Sequence, residues 1–98
     1  MRASLFVVKH QHSAEACPAG NSEMAPFLVQ HVSPPNAAEQ GVTIHGEAVV
    51  DGGHTLYLIV DADDQGAVEQ YMTPFTQVGT VDVLPASSCE QVVARAAC

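Results

Sequence analysis

Basic residues are scarce in this chain. Its 98 residues include three lysines and arginines against 11 aspartates and glutamates, which gives a formal net charge of −8. The three basic residues are Arg2, Lys9 and Arg95. A surface this acidic repels phosphate backbones and anionic lipid headgroups. We therefore expect neither a nucleic-acid partner nor binding to an acidic membrane surface.

The chain also lacks a long hydrophobic run. The opening segment SLFVV is interrupted by Lys9 and His10 before it reaches the length of a signal-peptide core, and no later run is long enough for a bilayer. We therefore expect a cytoplasmic protein. Cysteine is sparse, at three residues, and an odd number without an export signal favours reduced thiols over a disulfide framework. A pair between Cys89 and Cys98 remains open.

Charged residues make up 14% of the chain and hydrophobic residues 47%, a balance typical of a compact domain rather than a disordered one. A chain of 98 residues has room for one modest core. So few charges suggest that part of the surface is covered by a partner, most simply a second copy. We expect one domain over residues 1–88, a helical extension over 89–98, and a homodimer.

The first half of the chain predicts a strand, a helix and a second strand. Residues 4–9 are apolar on both alternating faces, as in a central strand covered on both sides. Cys17 and Pro18 have the pattern of a helix start, because proline suits the first helical turn. This helix should end before Pro34.

The middle of the chain predicts a β-hairpin. Two alternating segments, 42–50 and 54–62, flank the sequence Asp-Gly-Gly, and their apolar faces match across a three-residue loop. The predicted pairs are Val50 with His54, Ala48 with Leu56, and Ile44 with Val60.

The last third predicts a helix, a strand and a short terminal helix. Residues 63–78 open with capping aspartates, and Pro74 should kink or shorten the helix. Residues 80–85 form a strand, and Ser87 with Glu90 forms a capping box for the last helix. The resulting order, βαββαβ plus a tail helix, predicts an α+β, ferredoxin-like fold with a four-stranded antiparallel sheet and two helices on one face.

Histidines gather at one end of this predicted fold. His10 and His12 continue one face of the first strand, so both imidazoles point the same way. The ferredoxin-like topology brings the end of that strand, the start of the first helix and the hairpin loop together. If this face lies under the helices, His54 joins the two histidines. If it is turned outward, Tyr57 and Glu47 become the polar neighbours instead.

Imidazole nitrogens and a thiolate are usual ligands of zinc, copper, nickel and iron. A helix start at Cys17 would also favour its anionic form. The sequence therefore predicts a transition-metal site of His10, His12, His54 and Cys17, with zinc as the first choice and copper, nickel or iron behind it. A purely structural explanation stays open, because HxHx4C is not an established signature.

Other polar residues have simpler explanations. His31 is expected to interact with free carbonyls at a helix end. His45, Glu47, Tyr57 and Asp61 are predicted to share the other face of the sheet, where they form either a polar pocket or part of a subunit interface.

The segment H-x-H-x-x-E-x-C-P, formed by His10, His12, Glu15, Cys17 and Pro18, resembles the small dimeric α+β barrel proteins, and among them uncharacterised single-domain bacterial and archaeal members. The similarity extends over about residues 4–86. It implies sheet-to-sheet dimers with a site in a cleft between sheet and helices, which matches His10, His12 and Cys17. Some relatives bind nickel, and others are cofactor-free monooxygenases or isomerases such as muconolactone isomerase. The resemblance leaves open whether residues 89–98 cover the cleft or the neighbouring subunit.

Three functions are compatible with these features. The leading hypothesis is a metal-binding protein, either a carrier or sensor or an enzyme whose ion keeps a coordination position open. The alternative is a metal-free enzyme that acts on a small apolar molecule, with a histidine as general base and Tyr57 or another polar group orienting the substrate. The third is a dimeric interaction module whose histidines make association pH-dependent.

Overall fold

The structure, a computed structural model, describes residues 4–98. The strands β1 (Ser4–Gln11), β2 (Val42–Val50), β3 (Thr55–Ala62) and β4 (Thr80–Ala86) form an antiparallel sheet in the order β2-β3-β1-β4. The helices are α1 (Met24–His31) and α2 (Pro34–Glu39) between β1 and β2, α3 (Gln65–Tyr71) between β3 and β4, and α4 (Cys89–Arg95) after β4. The predicted α+β, ferredoxin-like arrangement is confirmed.

The hydrophobic core lies on one face of the sheet, which we call the inner face. Alternate residues of β1 and β3 point to this face and pack against α1, α2 and α3. The opposite face, here called the outer face, keeps large apolar side chains partly exposed, so the helices of this chain cover β1 on one side only. The core is formed mainly by Phe6, Val8, Leu28, Leu58, Val60, Val68, Met72 and Phe75.

The predicted start of the first helix is wrong. Cys17 precedes a single 3-10 turn at Pro18–Gly20, and α1 begins only at Met24. The Asn21 side-chain oxygen accepts hydrogen bonds from the backbone N–H groups of Glu23 and Met24, both at 2.9 Å. These bonds satisfy amides at the start of α1, so the helix begins after Asn21 rather than at the earlier proline.

The predicted limits of the later helices need smaller changes. Asp64 caps α3 by accepting a hydrogen bond of 2.8 Å from the Ala67 N–H, as expected. The helix ends at Tyr71, and a 3-10 helix at Thr73–Val78 contains Pro74, which confirms the predicted shortening. The capping box of α4 is formed by Ser88 and Gln91, one residue later than Ser87 and Glu90.

The hairpin contains an irregularity that the sequence pattern did not reveal. Ile44 pairs with Val60 as predicted, but Gly46 pairs with Ile59, so His45 is an extra residue in a β-bulge. The rest of β2 is therefore shifted: Leu56 pairs with Val49 rather than Ala48. The shift moves Glu47 and Val49 to the inner face. The predicted placement of Glu47 on the outer face beside His45 is wrong for this reason.

Helix α4 lies apart from this core. It buries none of its side chains, and its Glu90 and Gln91 line a depression with Ser4, Leu5 and Asp61. That depression is at the end of the sheet opposite the hairpin loop. Within residues 4–98, none of the helices combines the length and the apolar character that crossing a membrane requires. The division into residues 1–88 and 89–98 stays a prediction.

Candidate metal centre

His10 is a buried residue of the inner face. Its side chain is 1% exposed and its ring meets Phe75 edge to face, with 5.1 Å between the centroids. Its Nδ1 atom lies 3.2 Å from the backbone carbonyl oxygen of Thr80 in the neighbouring strand β4. Its Nε2 atom lies 3.3 Å from Nδ1 of His12. Both ring nitrogens of His10 therefore have partners within the fold.

His12 follows the end of β1 and is fixed there by backbone contacts. Its N–H donates a 3.1 Å hydrogen bond to the carbonyl of His54, which ties the strand end to the hairpin. Gly79 makes the close packing possible, since a Cβ atom at that position would lie 2.2 Å from the Gln11 carbonyl oxygen and 3.0 Å from the His12 Cβ. Only glycine fits this approach without displacing the backbone.

His54 enters the same region from the loop between β2 and β3. Its backbone has a φ of 51°, in the left-handed region that side chains other than glycine adopt infrequently. Its ring lies edge to face against that of His12, with 5.3 Å between the centroids. The left-handed turn therefore directs the imidazole toward the end of β1.

Cys17 reaches these histidines from the segment after β1. A turn precedes it, in which the Ala16 N–H donates to the Ser13 hydroxyl at 3.1 Å and the Cys17 N–H donates to the Ala14 carbonyl at 3.4 Å. The thiol is half-buried, whereas Cys89 and Cys98 are exposed. None of the three forms a disulfide. Because a three-residue 3-10 turn follows Cys17, the expected stabilisation of its thiolate by a helix N-terminus has no support.

Three of the four predicted site residues come together. A ring nitrogen of His12, the Sγ of Cys17 and a ring nitrogen of His54 all lie within 4.8 Å of one another. His10 is outside this group and contacts it through the His12 ring. We call His12, Cys17 and His54 the His/Cys cluster. Glu15, which belongs to the H-x-H-x-x-E-x-C-P segment, is exposed and outside the cluster.

The hydrogen bonds of His10 determine which nitrogen of His12 is free. A backbone carbonyl only accepts hydrogen bonds, so His10 must donate from Nδ1 to Thr80, and its neutral ring then accepts at Nε2. His12 therefore donates from Nδ1 to His10, which leaves a lone pair on its own Nε2. This Nε2 is buried and has no hydrogen-bond partner, a property it shares with no other side-chain nitrogen or oxygen in residues 4–98.

Burial favours the neutral form of these two imidazoles. Burial lowers the pKa of His10, and a charge on His12 would lower it further, against an opposing effect of the Thr80 carbonyl. Burial likewise lowers the pKa of His12, with a contribution from His54. Lowered pKa values favour at pH 7 the neutral form, in which imidazole has a lone pair to offer.

An apolar cavity of about 210 Å³ lies beside Cys17, between the inner face and α1. Its walls include Leu28, Leu56 and Phe75, and Glu47 is the charged side chain among the described residues that line it. Glu47 arrives there because of the bulge at His45. Sequence reasoning assigned this residue to the outer face, although a glycine inside a strand, here Gly46, is a known signal for a bulge.

The other candidate residues lie elsewhere. His31 is 8% exposed, and its Nε2 meets the carbonyl of Tyr71 at 2.7 Å, so it interacts with a free carbonyl as expected, but one that belongs to α3. The Nε2 atom of His45 contacts the Asp61 carboxylate on the exposed side of the sheet. Tyr57 is on the outer face, which removes it from the histidines of the inner face.

The fold and the His/Cys cluster describe a small α+β protein with a group of potential metal ligands at one end of its sheet. A comparison with protein families matches residues 5–97 to DUF3303, a domain of unknown function. The chain belongs to this family. No curated protein and no solved structure matches it significantly.

Proposed function

We propose that the protein binds a divalent transition-metal ion, with zinc as the first choice, through His12, Cys17 and His54. The observation that supports this most is the buried Nε2 atom of His12, which has no hydrogen-bond partner. It belongs to a ring that has one nitrogen within 4.8 Å of the Cys17 Sγ and of a His54 ring nitrogen. Zinc in proteins commonly takes histidine nitrogen and cysteine sulfur together. His10 orients His12 from behind, as residues that contact metal ligands commonly do.

The spacing of the three donors is compatible with zinc. Bonds of about 2.0–2.1 Å to nitrogen and 2.3 Å to sulfur place the ligand atoms of a tetrahedral site roughly 3.3–3.6 Å apart. The donors lie within 4.8 Å of one another, so each pair needs to close by no more than about 1.5 Å on binding.

Three protein donors leave a fourth position of a tetrahedral ion for water or another ligand. Sites of this kind are typical of catalytic zinc, whereas structural zinc is enclosed by four protein ligands. Cys17 of the cluster lines the cavity between the inner face and α1. The dimeric α+β barrel proteins have their sites in a similar cleft between sheet and helices, and some of these proteins bind nickel. A metalloenzyme, or a carrier or sensor with an exchangeable fourth ligand, is therefore favoured over a storage protein.

The experiment is metal analysis of protein purified without an affinity tag, followed by zinc and cobalt titration of the chelator-treated protein. We expect one ion per chain and a sulfur-to-cobalt charge-transfer band. Cys17→Ser should abolish the band, and His12→Ala or His54→Ala should lower affinity by about 100-fold or more, since ligand loss exceeds the 10–100-fold typical of residues behind the ligands.

Cys89→Ser and His45→Ala are the matched controls, because each removes the same type of side chain from an exposed position outside the cluster. Both should bind metal like the unmodified protein. The proposal fails if the protein takes up no metal, or if Cys17→Ser and Cys89→Ser behave alike.

A second candidate is supported by the same free nitrogen. The lone pair on His12 Nε2, next to an apolar cavity, suits a general base in a metal-free enzyme that acts on a small apolar molecule. Such an activity survives chelators and disappears in His12→Ala. An activity that instead requires added metal would exclude this candidate.

A further inference from the structure

We propose that the cavity beside Cys17 binds a small apolar molecule with a neutral or cationic head group that donates hydrogen bonds, and that Glu47 selects against carboxylates. This inference rests on the proposed function in one respect. Cys17 belongs both to the cavity wall and to the His/Cys cluster, so a bound molecule would lie next to the metal ion.

The size and lining of the cavity define the apolar part of the ligand. Its volume of about 210 Å³ is below the 300–1,000 Å³ of pockets for drug-sized ligands, while about 150 Å³ of apolar space is enough for benzene. The wall is formed by apolar side chains of α1 and β2, by the segment at Pro18, and by Leu56 and Phe75. One six-membered ring with a short substituent therefore fits.

The head group follows from the position of Glu47. The bulge at His45 turns this carboxylate to the inner face, beside the cavity. Within residues 4–98, Glu47 has no ion-pair partner. An amine or a hydroxyl can donate to such a carboxylate, whereas a ligand carboxylate is repelled. The net charge of −8 strengthens the repulsion of anions.

The test compares three probes that share one ring: benzylamine, benzyl alcohol and benzoate. Each is titrated by calorimetry and NMR into the zinc-loaded protein and into the chelator-treated protein. We expect saturable binding of benzylamine and benzyl alcohol to both forms, and benzoate at least about tenfold weaker than benzylamine.

Two variants locate the binding and its selectivity. Glu47→Gln should bring benzylamine and benzoate to within about twofold of each other, because it removes the charge. Glu90→Gln changes the net charge equally at the opposite end of the sheet and should keep the tenfold preference. Ala25→Phe, on the α1 wall, should fill the cavity and abolish binding of all probes without changing the number of metal ions bound.

The inference is overturned if neither benzylamine nor benzyl alcohol binds saturably, or if Glu47→Gln and Glu90→Gln show the same selectivity. Failure of the metal proposal has a different signature. A protein that takes up no zinc can still bind the probes in the chelator-treated arm, and a protein that binds zinc without binding the probes contradicts only the cavity.

Discussion

His10 has no free nitrogen to give to an ion. Its Nδ1 donates to the Thr80 carbonyl and its Nε2 accepts from His12. In the proposed metal site the residue therefore acts through His12, whose ring it orients and whose tautomer it fixes. The sequence predicted both His10 and His12 as metal ligands, because the two residues lie on the same face of one strand. Only the Thr80 carbonyl of the neighbouring strand, which occupies Nδ1 of His10, distinguishes them.

Replacing His10 distinguishes a residue that positions His12 from a residue that binds the metal ion directly. His10→Phe keeps the ring packed against Phe75 but removes the acceptor for the His12 Nδ1–H. We expect cobalt or zinc affinity to fall by about 10–100-fold, with one ion per chain and an unchanged charge-transfer band from Cys17. His10→Gln, which offers both an acceptor and a donor, should recover part of the affinity.

Two outcomes of that titration contradict the positioning role. Affinity equal to that of the unmodified protein in His10→Phe would mean that the hydrogen bond to His12 has no effect on the site. A loss of binding as complete as in His12→Ala, without recovery in His10→Gln, would make His10 a ligand itself.

At the scale of the elements, α1 and α3 are joined by reciprocal hydrogen bonds. The Tyr71 hydroxyl donates to the His31 carbonyl at 2.6 Å, and the His31 imidazole meets the Tyr71 carbonyl at 2.7 Å. The two rings are stacked with centroids 4.5 Å apart. This connection holds α1 over the sheet and so sets one wall of the cavity beside Cys17.

The Tyr71 hydroxyl makes the free energy of unfolding decrease with pH in the alkaline range. Burial raises the pKa of Tyr71 to about 12, above the ordinary value of about 10. Between these values the unfolded chain loses the proton while the folded chain keeps it, so the free energy of unfolding falls as pH rises from about 10 to 12. Below pH 10 the contribution of Tyr71 is fully present.

Tyr71→Phe should lower the free energy of unfolding at pH 7 by about 1 kcal/mol, because the His31 carbonyl still accepts a hydrogen bond from Asn36. Above pH 10 the variant should lose stability less steeply than the unmodified protein. Urea denaturation at pH 7, 9 and 10.5 checks this, with Tyr57→Phe on the exposed outer face as the control. Equal slopes for both variants would contradict the assignment.

The elements show where the sequence was sufficient and where it was not. An apolar run located β1 and alternation located β2 and β3, and Phe6, Val8, Leu58 and Val60 are all buried on one face. The register of β2 after Ile44 could not be predicted from alternation. One extra residue at His45 reverses every side chain after it, and both registers present apolar residues to the core.

The candidate site was predictable to a similar extent. Topology alone brought the end of β1 to the hairpin loop, which is why His12, Cys17 and His54 were predicted as neighbours. The predicted helix start at Cys17 is wrong because proline also begins a 3-10 turn, and the Asn21 side chain further along accepts hydrogen bonds from the amides where α1 begins. Glu47 was assigned to the wrong face because its position depends on the bulge.

At the scale of the whole molecule, the helices within residues 4–98 cover one face of the sheet and leave the other face without a helix. On the outer face Val7 pairs with Ile59 on one side and Leu84 on the other, which forms an apolar row across three strands. Ile59 is 46% exposed and Leu84 51%. A continuous apolar strip on a protein with few charges suits contact with a second copy. The expected homodimer remains a prediction, and this row is its proposed centre.

The acidic charge makes the strength of such a dimer depend on salt. Each chain carries a net charge of −8, so two copies repel each other while their apolar rows attract. Salt screens this repulsion and leaves burial of the apolar area almost unchanged. We therefore expect sedimentation equilibrium to give a dimer whose dissociation constant falls when NaCl is raised from 0.05 to about 0.5 M, where the Debye length is only a few ångströms.

Ile59→Asp tests the location of the interface. The substitution places a carboxylate in the centre of the outer row and should produce a monomer with unchanged far-UV circular dichroism, because Ile59 contributes nothing to the inner core. Val93→Asp is the matched control, since it adds the same charge on α4 at a side chain that is 77% exposed. A dimer that survives Ile59→Asp and dissociates in Val93→Asp would move the interface to α4, and a monomer at every salt concentration would remove the dimer altogether.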